Sequence, residues 1–394
     1  MKILFYCQHV LGIGHFFRSL EICKALSEHE VILVTGGPAP DVALDEHIRN
    51  VRLPGLMMDP TFSELFSPEK GMSTERVKKE RKKMLFEIFE SEKPDIFITE
   101  LYPFGRKAFG FELDPVLKNI RENHRRTCRS ICSLRDILVE KKDPEKYENR
   151  VVSILNRSFD ALLVHSDPAI FSLDETFSRT KDIKIPVVYT GFVTAKPPED
   201  ARTTVRKRLK VEPEKKLVTA SAGSGKVGFR LLENTLEAAG ALQREIPLRL
   251  VVFTGPLMDL KDFEPLKRLE SKDFSVNRFT PDFLSYLAAA DLSVSMAGYN
   301  TCMNILAAKT PAIVWPFSQN REQRFRAERL AQKASIEVLN DEDLIPDRLR
   351  ALIRKQLLHK GNSIVNIDIE GSSFTAEWLK NWSKHDPQGF THLE

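Results

Sequence analysis

The sequence predicts an α/β protein with parallel sheets, built as two similar halves. Three observations carry this. Short apolar strands alternate with helical patterns from residue 2 to about residue 189. The alternation breaks over 191–213, where Pro197-Pro198 and many charges leave little apolar content, and restarts at Leu217. The stretch DLSVSMAGYNTCMNILAAKTPAIVWPF, Asp291 to Phe317, reads as strand, Gly turn, helix and return strand, which is a βαβ unit.

Taken in order, Lys2 to Tyr6 is a strand and Phe16 to Ser27 a helix, with Phe17, Leu20, Cys23 and Leu26 near helical spacing. Val31 to Thr35, Ile96 to Thr99, Ala161 to Val164 and Val187 to Tyr189 continue the strands. In the second half, Leu217 to Ala220 and Leu248 to Phe253 are strands and Leu231 to Leu242 a helix. Pro281 to Ala290 is a short helix before the βαβ unit, in which Asn300 or Thr301 caps the helix. Such alternation argues for doubly wound, Rossmann-like halves. The expected boundaries are 1–191, 192–373, and a last helix with its tail over 374–394, the helix running from Phe374 to Trp382 and crossing back to the first half.

At 394 residues, two domains are expected. The 42% hydrophobic and 29% charged content fits a globular enzyme, and a net charge of +4 gives no support to nucleic-acid binding. No apolar run is long enough for a membrane span, and the five cysteines show no CxxC pair or metal spacing, so a cytoplasmic, reduced protein without a metal site is expected.

Three loops follow strand ends, where open parallel sheets bind ligands. The first holds Gly12, Gly14, His15 and Arg18. Phe17 stands at the third glycine position of GxGxxG, so a nicotinamide dinucleotide is not favoured. His15 and Arg18 lie one helical turn apart and can share a face. The alternative is a Gly turn with a capping His. The second loop, Ser221 to Gly228, fails the GxxxxGK[ST] pattern at Ala220 and Val227, yet Gly223 and Ser224 can still cradle a phosphate. The third, Glu100 to Arg106, offers Glu100 as a base, a sugar-binding carboxylate, or merely a capping or salt-bridged residue. Arg106 is an acceptor-side candidate, as are Arg135 and Asp136 in one segment and His165 and Asp167 in another at similar strand ends, one of these two segments being only turn chemistry. Met57 to Met72 reads as a lid or docking loop. With the basic helix Glu75 to Glu90 it suggests peripheral contact with an anionic membrane, against the plainer reading of a solvated face.

Together, GxGHxxR after the first strand, the Gly/Ser loop, and GYNT before a helix with AxxxxP resemble GT-B-fold glycosyltransferases. They are similar to the family 28-like enzymes that add N-acetylglucosamine to undecaprenyl-linked muramyl peptide. The resemblance implies a nucleotide-diphosphate sugar, UDP-linked by preference, as co-substrate in the C-terminal half. It implies a sugar, glycolipid or other hydroxyl acceptor on the N-terminal half, with no metal or separate cofactor. It places Gly14 and His15 near the diphosphate and acceptor. Ser221, Gly223 and Ser224 belong to the second-half phosphate loop, Gly255 is a further donor-binding position, and Phe279 belongs to base reading. Gly298, Asn300 and Thr301 form the phosphate turn, and Gln323 meets the donor sugar. The chain departs at Asn304, where these enzymes carry a ribose-binding Glu.

The expectation is an inverting transferase in which His15 or Glu100 takes the acceptor proton, while Ser224 and the Thr301 helix end stabilise the leaving diphosphate. A nucleotide-sugar hydrolase of similar fold, or a non-catalytic nucleotide-sugar-binding protein, are the alternatives.

Overall fold

The computed structural model describes residues 1–8, 14–37, 42–58, 65–68, 71–123, 128–139, 141–319, 321–359 and 366–382. The chain forms two compact units, 1–193 with 370–394, and 194–369.

The first unit carries β1 (Lys2–Cys7), β2 (Glu30–Thr35), β3 (Ile48–Arg52), β4 (Met57–Met58), β5 (Leu65–Phe66), β6 (Ile96–Glu100), β7 (Arg129–Arg135), β8 (Ala161–His165) and β9 (Val187–Tyr189). Its helices are α1 (Gly14–Ala25), α2 (Thr74–Glu92), α3 (Gly110–Glu122) and α4 (Pro144–Ser158). A seven-stranded, all-parallel sheet runs β3-β2-β1-β6-β7-β8-β9. Alternate residues of β1 feed opposite faces: Leu4 and Tyr6 join the core beneath α2 and α3, while Ile3, Phe5 and Cys7 join the core with α1.

The second unit carries α5 (Ala201–Arg208), β10 (Lys216–Ser221), α6 (Phe229–Leu242), β11 (Leu248–Phe253), α7 (Leu260–Lys267), β12 (Phe274–Asn277) and α8 (Phe283–Ala289). It continues through β13 (Leu292–Met296), α9 (Tyr299–Ala308), β14 (Ala312–Trp315), α10 (Arg321–Ala331), β15 (Ile336–Val338) and α11 (Pro346–Leu358). Its parallel sheet runs β12-β11-β10-β13-β14-β15.

Helix α12 (Gly371–Trp382) belongs to the first unit. Leu379 and Trp382 are buried in the core that holds α1, and Arg129 stacks over Trp382 at 4.6 Å while donating to its carbonyl at 2.9 Å. Phe192 and Val193 also pack in the first unit, where Gly371 N–H donates to Phe192 O at 3.0 Å. Gly371 has no room for a side chain, since a Cβ there would lie 2.3 Å from Gly191 O.

Helix α2 is not basic on every face. Val77, Arg81, Leu85 and Phe89 form its buried stripe. Arg81 is 0% exposed and donates to Glu112 (2.9 and 2.5 Å), Gln8 (2.7 Å) and Pro54 O (2.7 Å). Tyr6 adds an O–H donor to Glu112 at 2.5 Å. A buried guanidinium is tolerated here because its charge is matched and its donors are used. The expected docking loop Met57 to Met72 contains the small antiparallel pair β4-β5; its residues 59–64 and 69–70 lie outside the described residues. Among the described residues no helix is long and apolar enough to cross a membrane, and no His/Cys/Asp/Glu group could hold a metal.

Candidate active site

In each sheet the strand order reverses once, between β1 and β6 in the first unit and between β10 and β13 in the second. Chain crossovers on opposite faces leave a crevice at the carboxyl ends of such a strand pair. The sequence-named loops sit at these two points.

In the first unit, β1 and β6 pair in parallel through Tyr6 and Thr99, so the loop after each strand emerges at the same edge. Residues 9–13, including Gly12, lie outside the described residues; Gly14 opens α1. His15 Nδ1 is 2.7 Å from Glu100 Oε1, and Arg18 donates to the same oxygen. Glu100 is 0% exposed. Burial alone would raise its pKa, but His15, Arg18 and Arg106 outweigh burial and hold the carboxyl well below the usual range. An ionised carboxylate only accepts, so Nδ1 carries the imidazole proton and Nε2 keeps a lone pair. Arg18 Nη2 lies 3.3 Å from the same Nδ1; both groups are donors, so this contact is not a hydrogen bond in that tautomer.

Burial lowers the His15 pKa to about 4; Arg106 and Arg18 act in the same direction and Glu100 opposes them. Its side chain remains 24% exposed, so solvent limits the fall. Neutral imidazole beside ionised carboxylate is the pairing that two neighbouring guanidinium groups favour. Glu100, sealed from solvent and held by cations, is thus an orienting carboxylate rather than a base.

Of the other acceptor-side candidates, His165 is placed differently from expectation. His165 is 0% exposed. Thr190 Oγ1 donates to Gly191 O (3.1 Å), so His165 Nδ1–H donates to Thr190 Oγ1 (2.8 Å), and Nε2 accepts from Ser133 Oγ–H (2.7 Å). Burial, with Arg18 adding, lowers its pKa to about 3. His165 therefore locks the ends of β7 and β8 and cannot reach an acceptor. Asp167 Oδ1 accepts from Ala169 N–H at 2.9 Å, which is turn chemistry. Asp136 is buried, and Arg135 is half-buried at the end of β7.

In the second unit, α9 starts at Tyr299 with Gly298 as its N-cap, so Asn300 and Thr301 lie in the first turn instead of capping it. An extended Gly298 (ψ 152°) brings the chain straight into the helix and supplies no side-chain cap. The first-turn N–H groups of a helix have no partner within the helix, which is what makes a helix start a potential anion site. Ser221 Oγ accepts from Gly223 N–H at 3.1 Å, and Ser224 is exposed. Gly255 has φ 89°, and a Cβ on it would lie 2.4 Å from the Ser224 carbonyl carbon. Gly225, with φ 92°, would meet Thr254 O at 2.5 Å. The glycines let loop 222–228 and loop 254–258 interlock, a requirement separate from any ligand. Phe279 is 54% exposed.

Asn304 lies one turn into α9 and accepts from Thr194 Oγ1 at 3.3 Å. Gln323 Oε1 accepts from Phe317 N–H at 3.0 Å, linking α10 to the chain after β14. Arg326, 0% exposed, donates to Glu322 at 2.6 Å and lies 5.1 Å from the Tyr299 ring centroid, tying α10 to the first turn of α9. Sequence reasoning missed this tie, because i,i+4 Glu and Arg look like an ordinary exposed helix pair.

Residues 222–376 match the glycosyltransferase family 28 C-terminal domain. The crystal structure of MurG from Acinetobacter baumannii superposes with a TM-score of 0.54 at 14% identity, covering 96% of this chain and 95% of that one. The chain has the GT-B fold. By sequence it is 21% identical over 234 residues to the uncharacterized glycosyltransferase MK0977 of Methanopyrus kandleri, 58% of this chain and 64% of that protein. It is 27% identical over 127 residues to the UDP-N-acetylglucosamine–N-acetylmuramyl-(pentapeptide) pyrophosphoryl-undecaprenol N-acetylglucosamine transferase of a Sulfurovum species, 32% of this chain and 36% of that enzyme. The chain thus spans less than two thirds of either curated relative.

Proposed function

We propose that this GT-B protein is a glycosyltransferase. The second unit takes a nucleotide-diphosphate sugar, with UDP favoured by its similarity to a UDP-N-acetylglucosamine transferase. The first unit supplies the base that deprotonates a hydroxyl acceptor. The observation that carries this reading is the His15–Glu100 pair at a topological switch point: Nδ1–H is fixed on Glu100, and the Nε2 lone pair is left to accept a proton. The acceptor O–H gives its proton to Nε2 as its oxygen bonds to the anomeric carbon, and the nucleotide diphosphate departs from the opposite face with the bonding pair. One displacement inverts the anomeric centre. Diphosphate charge is met by the N–H groups of the Gly298–Thr301 turn and loop 222–228, so no metal is needed.

The protein would act in the cytoplasm. Lysines on the face of α2 away from Val77 and Leu85 would allow peripheral contact with an anionic bilayer.

A thermal-shift screen tests the donor half. UDP at 100 times its dissociation constant should stabilise by about 2.7 kcal/mol. Transfer from UDP-sugars in EDTA, followed by NMR of the product anomer, tests the rest. Silence across all nucleotide diphosphates would sink the reading. Free sugar released without any acceptor would turn it into a hydrolase.

A further inference from the structure

The two oxygens of Glu100 are used unequally. Oε1 receives His15 and Arg18, while Oε2 is buried, has no hydrogen-bond partner among the described residues, and has Arg106 Nε at 3.8 Å. The Arg106 side chain is 9% exposed, and among the described residues its Nε and Nη2 likewise have no hydrogen-bond partner. Glu100 is its ion partner among the described residues. Arg106 is also held in a conformation that side chains rarely adopt, φ 56°, and so is Leu101, φ 67°, at the other end of the same loop. Neighbours pin that loop: Tyr147 O–H donates to Phe104 O (2.9 Å), Arg150 to Pro103 O (3.1 Å), and Thr99 O–H to Tyr102 O (3.0 Å). Disfavoured backbone held in place beside a reactive pair points to function.

A lone carboxylate against an imidazole stabilises the imidazolium and makes the histidine easier to charge. Here the carboxylate lies between two guanidinium groups. We propose that Arg106 is a positioning residue that tunes His15. It engages Glu100 from the Oε2 side, so that Oε1 orients the imidazole without converting it to a cation. The charged groups set around His15 among the described residues are Glu100 from β6, Arg106 from the loop after β6, and Arg18 from α1 itself. His165, at the end of β8, is neutral. The consequence for catalysis rests on His15 being the base, but the site of tuning does not.

The test is an NMR titration of the His15 ring, assigned by its loss in His15→Gln. The wild-type midpoint is expected well below the ordinary 6.5. Arg106→Gln should raise it by about one pH unit or more, whereas Arg106→Lys, which keeps the charge but not the planar fork, should leave it low. A wild-type midpoint at or above 6.5 overturns the proposal. So does a folded Arg106→Gln with an unmoved midpoint, or an Arg106→Lys that moves it as far as Arg106→Gln. None of these readings requires a sugar substrate, so a failure of glycosyl transfer and a failure of tuning are told apart.

Discussion

The two switch points share their strand geometry and differ in chemistry. Between β1 and β6, the named positions are ionisable: His15, Arg18, Glu100 and Arg106, three of them almost sealed from water. Between β10 and β13, they are glycines, hydroxyls and an amide: Ser221, Gly223, Ser224, Gly298, Thr301 and Asn304. A proton-transfer site needs one protonation state held fixed, which takes buried charges arranged around a ring. An anion site needs close backbone approach and free N–H groups, which small residues supply. The first kind is sensitive to charge and pH, the second to volume.

Substitutions can break or sharpen this contrast. The largest effect is expected at His15. His15→Ala should lower the transfer rate about 10²–10⁴-fold and leave UDP-induced stabilisation unchanged. An equal loss of UDP binding would show that the two sites do not divide the work. Acid should act next, beginning with the first-unit histidines that burial keeps neutral, His165 above all. His165 titrates near 6.5 when unfolded and at about 3 when folded. Above 6.5 both states are neutral and nothing is lost. As pH falls below 6.5 the unfolded chain takes a proton that the folded protein refuses, so stability drops until about pH 3. Each pH unit crossed in that window costs about 1.36 kcal/mol, so the loss by about pH 4 is on the order of 2–4 kcal/mol. Denaturant midpoints measured from pH 7 to pH 4 should fall, and His165→Asn should flatten the fall.

Volume should matter in the second unit. Gly255→Ala puts a Cβ on Ser224 and forces a left-handed φ on alanine, so roughly 1–3 kcal/mol of stability should be lost. Calorimetric melting would show it, with the His15 midpoint unmoved. The smallest change is expected at Asn304. Asn304→Glu adds a charge-assisted acceptor, worth about 1 kcal/mol, or roughly fivefold in UDP affinity by titration calorimetry. No change would remove position 304 from the nucleoside site.

Much of this contrast was legible in the sequence. The strands that lead into the loops are buried, apolar and ended by Gly or polar turns, so β1, β6, β10 and β13 stood out. The strands β3 and β15 did not: IRNVR alternates charge with little apolar content, and β15 has three residues at a sheet edge. The sequence marks His15 and Glu100 each as a candidate, but not as partners. Their contact depends on β1 and β6 lying side by side although 85 positions separate the residues, and no local pattern reports that. The Arg81–Glu112 pair was hidden for the opposite reason. Arg81 sits in a run of lysines and arginines, and only the stripe formed with Val77 and Leu85 turns it inward.

Helix α12 also imposes an order of events on synthesis. Leu379 and Trp382 complete a core whose other members, Phe5, Leu20 and Ile98 among them, leave the ribosome far earlier. All of Thr194–Ile369 must be translated in between. At about 5–20 residues per second, the first unit waits on the order of ten seconds or more with that face uncovered. A nascent chain stalled within the second unit would therefore display an apolar patch over α1, a surface for chaperones to meet before the last helix closes it.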